Sequence, residues 1–510
     1  MEEQSISQKI IKNTIFNAVG RFWGILVALI LTPYIIRHIG IERYGIWALV
    51  GVLTGYFGLL DFGIGTSFVK YISEFYAKKD FEKINQVINT GFVFYSIFAI
   101  FLITLSFFVI NPLLTFFKIP SHLYNESVFV FFLGIILFSV SNALSPFGAI
   151  QGGLQRMDIS NKVAIAVSIP NIAGTIFFLE KGYSLPGLMV NNGIVLLISS
   201  VASLVIAFRI LPELRFNPLV STKAMLKKLF GFGAKVQITK IASLLHSHLD
   251  EILLAYFLNI GFVAYYAVAQ GLTSKISEMP LMLISAIMPA ASELDARSEK
   301  GKLQELYFRS MKYLILAGTP IFIMGFTFAH SFIQAWLGAG YERTAFTLQL
   351  LLVAGFINLL TGPGFYIFNG MGKPQYGMYI SVLSTIMKLT LSITLIIKFG
   401  YYGTVLGTCI SFIICSVIFL AIFHKITEIS LIQSMKKFLF LPILVGLVSL
   451  FIPLLIFHQI GNPSLVFICL TGTLYMCVYG WLIWKSGYIS VSDMELWRKL
   501  LPTIIKYKEI

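Results

Sequence analysis

Apolar runs of eighteen residues or more recur along this 510-residue chain, each long enough to cross ~30 Å of hydrocarbon. No other feature restricts the fold as tightly. In lipid every backbone N–H and C=O must be satisfied within the protein, and runs of this length do so as helices. Charged residues are 12% of the chain, about half the roughly 25% usual in soluble domains. The predicted fold class is an all-α polytopic membrane protein. Fourteen transmembrane helices are expected, at 11–36, 45–69, 86–110, 125–150, 161–179, 184–208, 230–256, 262–292, 310–335, 346–369, 376–397, 402–423, 438–457 and 464–484.

Charge sets the orientation. The net charge is +15, but the basic residues lie between apolar runs, where topology places them, so nucleic acid is not an expected partner. One set of alternate loops holds only Arg37, Arg43, Lys118, Lys181, Arg343 and Lys398, whereas the opposite segments, counted with Lys12, Lys162 and Lys312 at the adjoining span ends, hold 27 Lys and Arg. This bias predicts that both the N-terminus and the C-terminus are cytoplasmic. Met1 to Lys9 is polar and shows no cleavage site, so the first apolar run is expected to be retained. Cys409, Cys415, Cys469 and Cys477 all lie in apolar runs and read as small fillers.

An internal repeat organises the chain. Ser145-Pro146-Phe147, then Gly153 and Arg156, matches Gly362-Pro363-Gly364, then Gly370 and Lys373; Gly182-Tyr183 matches Gly400-Tyr401. Six spans per copy give both copies one orientation, so they are expected to form two pseudo-symmetric lobes about a central cavity. The expected division is an N-terminal lobe at 1–209, a basic inter-lobe linker at 210–229, a C-terminal lobe at 230–424, and two further helices with a basic tail at 425–510.

Ionisable residues within spans are costly in hydrocarbon and normally face protein or water. At 1.5 Å per residue, Arg21 lies about 14 Å above Lys12, and Lys240 about 18 Å past Lys228. Lys275 and Lys388 fall about 18–20 Å deep by the same measure, and Lys235 lies nearer the cytoplasmic side. Asp61 is at the depth of Arg21, and Glu278 follows Lys275 at i+3, so each acid can pair with a cation. The five cations suit an anionic group, above all phosphate or pyrophosphate, in a mid-membrane cavity. Structural salt bridges between helices are the alternative. Asp250 shares a face with His246 and reads either as a gate or cation site, or as an interfacial residue at a helix end. Tyr256, Tyr265 and Tyr266 beyond it suit the headgroup level. No Walker A sequence, metal motif or long external loop points to an enzyme.

Thr32-Pro33-Tyr34, Ile39-Gly40, Tyr44-Gly45, Leu60-Asp61-Phe62-Gly63 and Lys70-Tyr71-Ile72-Ser73-Glu74 resemble the opening signature of bacterial oligosaccharide flippases. These are the Wzx-type polysaccharide exporters of the multidrug/oligosaccharidyl-lipid/polysaccharide (MOP) superfamily. The stretch from Asp250 to Tyr265 looks like that family's second-lobe start. The resemblance covers essentially the whole chain. It implies a flippase of the bacterial inner membrane that turns undecaprenyl-pyrophosphate-linked oligosaccharide to the outer face by alternating access. The products would be O-antigen of lipopolysaccharide, capsule or exopolysaccharide. It further implies membrane lipids, a glycan polymerase and glycosyltransferases as partners. No cofactor is implied, but coupling to Na⁺ or H⁺ is, with Asp61, Glu278 and Asp250 as candidate sites. Export of peptidoglycan lipid precursor or small molecules is the alternative function, and a membrane glycan polymerase or ligase a remoter one.

Overall fold

The computed structural model describes residues 6–58, 64–284, 287–430, 438–458 and 463–489. Among the described residues there are α-helices and two short 3₁₀ turns but no strand. The first ten helices are α1 (Ile6–Ile39), α2 (Ile41–Phe57), α3 (Ile64–Ala77), α4 (Phe81–Phe116), α5 (Tyr124–Gly153), α6 (Met157–Glu180), α7 (Ser184–Ile210), α8 (Lys223–Phe257), α9 (Ile260–Met282) and α10 (Ile287–Ala296). Then come α11 (Lys300–Leu337), α12 (Glu342–Leu359), α13 (Gly362–Gly370), α14 (Gln375–Phe399), α15 (Tyr401–Thr427), α16 (Phe440–Ser449), α17 (Phe451–His458) and α18 (Leu465–Lys485).

Among the described residues, eleven helical stretches are long and apolar enough to cross a membrane. Three of the fourteen expected spans are not among these eleven. The second span is α2 and α3, of 17 and 14 residues. The seventh is α8, whose sequence carries Lys235, Lys240, His246, His248, Asp250 and Glu251. The eighth is α9, with Lys275 and Glu278, followed by α10. Each of these three includes residues or side chains outside the described ones, and each of the other eleven holds an 18-residue apolar window with at most two charged residues.

The helix starts recur along the chain. Ile41 and Ile260 open α2 and α9, Phe81 and Lys300 open α4 and α11, Tyr124 and Glu342 open α5 and α12, and Met157 and Gln375 open α6 and α14. Each pair is separated by about the offset of the sequence repeat. Turn geometry recurs with them: Lys79 and Ser298 both take φ near +57°, and Gly182 and Gly400 both lie at positive φ. Asp80 and Glu299 follow, ion-paired at 2.6 Å to Lys83 and Lys302 respectively. The hydrogen bond from the Lys83 ammonium holds the Asp80 carboxyl below the usual range. Packing repeats too. A Cβ on Gly153, at the end of α5, would lie 2.6 Å from Ile72 Cγ2 and 3.5 Å from Ser73 N on α3. One on Gly370, at the end of α13, would lie 2.8 Å from Ala291 Cβ and 3.0 Å from Ser292 N on α10.

The chain forms two compact units, one of Met1–Ala267 with Ile396–Thr404 and one of Val268–Leu395 with Val405–Ile510. In the first unit, α3 buries Ile64, Phe68, Tyr71, Ile72 and Phe75, a helical stripe, against α4, α5 and the start of α8. The other face of α4 presents Ile97, Ile100, Phe101, Phe107 and Phe108 outward, which suits hydrocarbon rather than water. In the second unit, α16 and α18 pack on α11, where Gly446 approaches Ile323 and Gly472 approaches Met324. The Tyr479 hydroxyl donates to the Leu316 carbonyl at 3.2 Å.

The segment between α7 and α8 is bound to α4 along its length. Asn85 Nδ2 donates to the Glu213 carbonyl at 3.0 Å, and Arg215 N returns a bond to Asn85 Oδ1 at 2.6 Å. Asn89 Nδ2 donates to the Arg215 carbonyl and accepts from Asn217 N, both at 2.9 Å. Thr222 N donates to Thr90 Oγ1 at 3.3 Å. Leu211 and Leu214 complete the core beneath, and the Phe216 ring meets Phe92 edge-on at 5.0 Å. Asn89→Ala removes two such bonds at a fully buried position. At about 1 kcal/mol per bond it should destabilise the first unit by roughly 2 kcal/mol. The measurements are a lowered unfolding midpoint of the purified protein and faster proteolysis after Arg215.

Candidate functional site

The first unit holds a buried acidic cluster built across a helical hairpin. Helix α8 ends at Phe257 and α9 starts at Ile260; between them Asn259 Oδ1 accepts from Gly261 N at 3.1 Å. This short turn folds α9 back on α8, so residues equally far from Leu258 come together. Asp250 and Tyr266 are such a pair, and the Tyr266 hydroxyl donates to Asp250 Oδ2. Asp250 is 0% exposed and the adjoining Glu251 4%. His248 Nδ1 lies 3.5 Å from Glu251 Oε1, and Tyr56 of α2 is within electrostatic reach of both carboxylates. Glu251 Oε2 and the Tyr56 hydroxyl are buried without a hydrogen-bond partner. A buried carboxylate is costly unless hydrogen-bond donors or a cation meet its oxygens.

This arrangement corrects two expectations. Asp250 does not present its carboxyl to an interface, because it has no exposed surface. Tyr266 does not face headgroups, because it is 0% exposed and its hydroxyl donates to Asp250. Tyr256 is partly exposed, stacked on Phe116 at 4.6 Å with Lys118 Nζ 5.4 Å from its ring.

Three expected residues, Lys275, Glu278 and Lys388, lie in the second unit. Lys275 Nζ is 3.8 Å from Glu278 Oε2, as their i,i+3 spacing predicts, and both side chains are about half exposed. An ion pair so open contributes about 0–1 kcal/mol at most, which leaves the Lys275 ammonium available to other anions. Lys388 differs: it is 1% exposed, on one face of α14 with buried Ser384 and Ser392. That face is closely packed by α15, since a Cβ on Gly407 would lie 2.7 Å from Ser392 N. Lys388 therefore presents no charge to open space. Asp61 lies outside the described residues. Arg21, on α1, and Lys235 and Lys240, on α8, have side chains outside the described ones.

The sequence reading missed Tyr56, Tyr266 and Glu251 as one cluster. The signal was present, since Asp250 and Tyr266 are each eight residues from Leu258. Among the described residues no three His, Cys, Asp or Glu side chains are grouped to hold a metal ion.

Residues 10–295, more than half of the chain, match a family model described as "Polysaccharide biosynthesis protein". A "Putative O-antigen transporter" of Shigella flexneri is 22% identical over 412 residues, covering 79% of this chain and 95% of the relative. Among solved structures, the lipid II flippase MurJ in an inward closed conformation aligns with a TM-score of 0.65 at 16% identity, over 93% of this chain and 99% of that one. An inward-facing multidrug resistance MATE transporter of the MOP superfamily aligns with a TM-score of 0.63 at 14% identity, over 82% of this chain and 94% of that one. The two structures share its fold.

Proposed function

This chain belongs to the polysaccharide biosynthesis protein family, and on that premise we propose that it is a flippase for lipid-linked oligosaccharide. The observation that carries this reading is the family match itself, which runs from α1 into α10 and so takes in the acidic cluster. The name of the Shigella relative supports the same substrate class. The proposed substrate is undecaprenyl-pyrophosphate-linked oligosaccharide, moved from the cytoplasmic to the outer face of the inner membrane by alternating access. The protein is then a transporter and not an enzyme. A glycosyltransferase set supplies its substrate, and a glycan polymerase consumes it.

The repeat supports two lobes with a cavity between them, divided at the basic linker 210–229. Arg21, Lys235, Lys240 and the half-exposed Lys275 would attract the pyrophosphate and any acidic sugars. The polyprenyl tail would remain in lipid, because its transfer through a charged cavity would be unfavourable. Asp250 and Glu251 are the proposed site for Na⁺ or H⁺ coupling, since both are buried and Glu251 Oε2 has no hydrogen-bond partner. Moving one net charge responds to membrane potential by about 2.3 kcal/mol per 100 mV.

The test is a deletion strain followed by its lipid-linked glycans. Full-length lipid-linked oligosaccharide should accumulate on the cytoplasmic side and be cleared by the wild-type chain. Arg21→Ala, at unchanged abundance, should fail to clear it. Normal lipid-linked glycan and normal surface polysaccharide in the deletion strain would refute the oligosaccharide reading. In that event peptidoglycan precursor or small-molecule export becomes the next hypothesis.

A further inference from the structure

The segment joining α7 and α8 carries an apolar tip at Leu219 that nothing in its own unit covers, beside Phe216, whose ring is half-covered by Phe92 and Phe147. Leu219 is 92% exposed and Phe216 53%. Both sit on backbone bound to Asn85, Asn89 and Thr90 of α4. The tip is a 3₁₀ turn, Pro218–Val220, capped by Asn217 Oδ1, which accepts from Leu219 N at 3.1 Å. An exposed leucine on a tethered turn is held in place rather than trailing in solvent.

The level of this turn relative to the membrane follows from α4. Its 36 residues span about 54 Å, well beyond ~30 Å of hydrocarbon. The outward apolar face of α4 begins at Ile97, and Thr90 lies about 10 Å before it along the helix axis. That distance sets Asn85 to Thr90, and the segment they hold, at the headgroup layer. The exposed charges there are mostly positive. Arg209, Arg215, Lys223 and Lys227 are exposed, with Glu213 the one exposed acid among residues 209–227. Lys70 and Lys228 lie over the Tyr71 ring at 4.5 and 4.8 Å on α3, where Glu74 is within electrostatic reach of both.

We propose that this segment is a fixed interfacial anchor: Leu219 and Phe216 insert among lipid chains while Arg215, Lys223 and Lys227 contact anionic headgroups. Apolar side chains flanked by cations at headgroup depth fit an anionic leaflet. The anchor holds the α4 end of the first unit at one depth and makes that depth sensitive to anionic lipid content. This inference is independent of the transported substrate.

The test uses the full-length chain with Cys469 and Cys477 replaced by Ala and a single NBD label at Leu219→Cys. It is reconstituted in vesicles of phosphatidylcholine alone or with phosphatidylglycerol. With phosphatidylglycerol, the emission should shift to the blue, and quenching by neutral acrylamide should fall several-fold below that of a label at Glu213→Cys. At 1 M salt, where the Debye length shrinks from ~10 Å to ~3 Å, the benefit of phosphatidylglycerol should be largely lost. The triple change Arg215→Gln, Lys223→Gln, Lys227→Gln should lose it at low salt. Equal quenching at 213 and 219 in both vesicle types would overturn the proposal and mark the tip as a face for a soluble protein. A phosphatidylglycerol effect that survives the triple change would overturn the role given to these cations.

Discussion

A Gly45→Ala chain is expected not to accumulate as folded protein in the membrane. Gly45 is buried near the start of α2, where it meets the first residue of α9. A Cβ there would overlap the Ile260 carbonyl oxygen and lie 3.0 Å from its carbonyl carbon. The obstacle is backbone, so no rotamer change relieves it; α2 must part from α9. Overpacking typically costs about 1–3 kcal/mol when side chains can shift, and a backbone obstacle places this change at or above about 3 kcal/mol. Separation of α2 from α9 would also open the acidic cluster, because Tyr56 rides on α2 and Tyr266 on α9. Gly51→Ala is the control. Nothing lies within 4 Å of its added Cβ, and alanine favours a helix over glycine by about 1 kcal/mol. Detergent-extracted variants compared by size exclusion and unfolding midpoint should separate the two. Equal behaviour would refute the packing account.

The second large effect is expected on transport rather than folding. Asp250→Asn keeps an oxygen to accept the Tyr266 hydrogen bond and keeps the side-chain volume, so abundance should stay at the wild-type level. It replaces a buried carboxyl with an amide, which neither takes up a proton nor balances a bound Na⁺. On the proposed coupling role, accumulation of lipid-linked oligosaccharide should resemble that of the deletion strain, a loss of transport of at least about tenfold, or about 1.4 kcal/mol in the driving step. Asp250→Ala should add instability of about 1–3 kcal/mol, because Tyr266 loses its carboxylate acceptor within a buried site. Wild-type transport by Asp250→Asn would remove Asp250 from the coupling role and leave it as a hydrogen-bond acceptor alone.

Much of the fold was legible because hydrocarbon imposes a coarse rule. Eleven expected spans meet the length and apolarity of a membrane helix. Interruptions were harder to read. The sequence suggests one span where α12 and α13 stand apart at Leu360 and Thr361, and another where α16 and α17 meet at Leu450. Apolar composition persists across such breaks, so hydropathy does not register them. The candidate site was legible in part. The Lys275 and Glu278 pair follows from helical spacing alone. Lys388 did not follow, because depth along a helix says nothing about which face is packed, and its face is the one α15 covers. Asp250 was found, but its tyrosine partner was assigned to the membrane surface from residue type. The hydrogen bonds that hold residues 213–222 to α4 come from asparagine side chains to backbone, a pairing that leaves no periodic trace in sequence.

The close approach of Gly153 to Ser73, and of Gly370 to Ser292, has a practical consequence for anyone altering this protein. The molecule contains two copies of one joint, and what is learned on one can be transferred to the other by counting along the chain. A substitution that tightens the α3–α5 joint has a natural counterpart where α10 meets α13, and pairs of changes can be designed together. The same duplication gives an internal control, since a change tolerated in one copy and lethal in the other points to a task the two joints do not share.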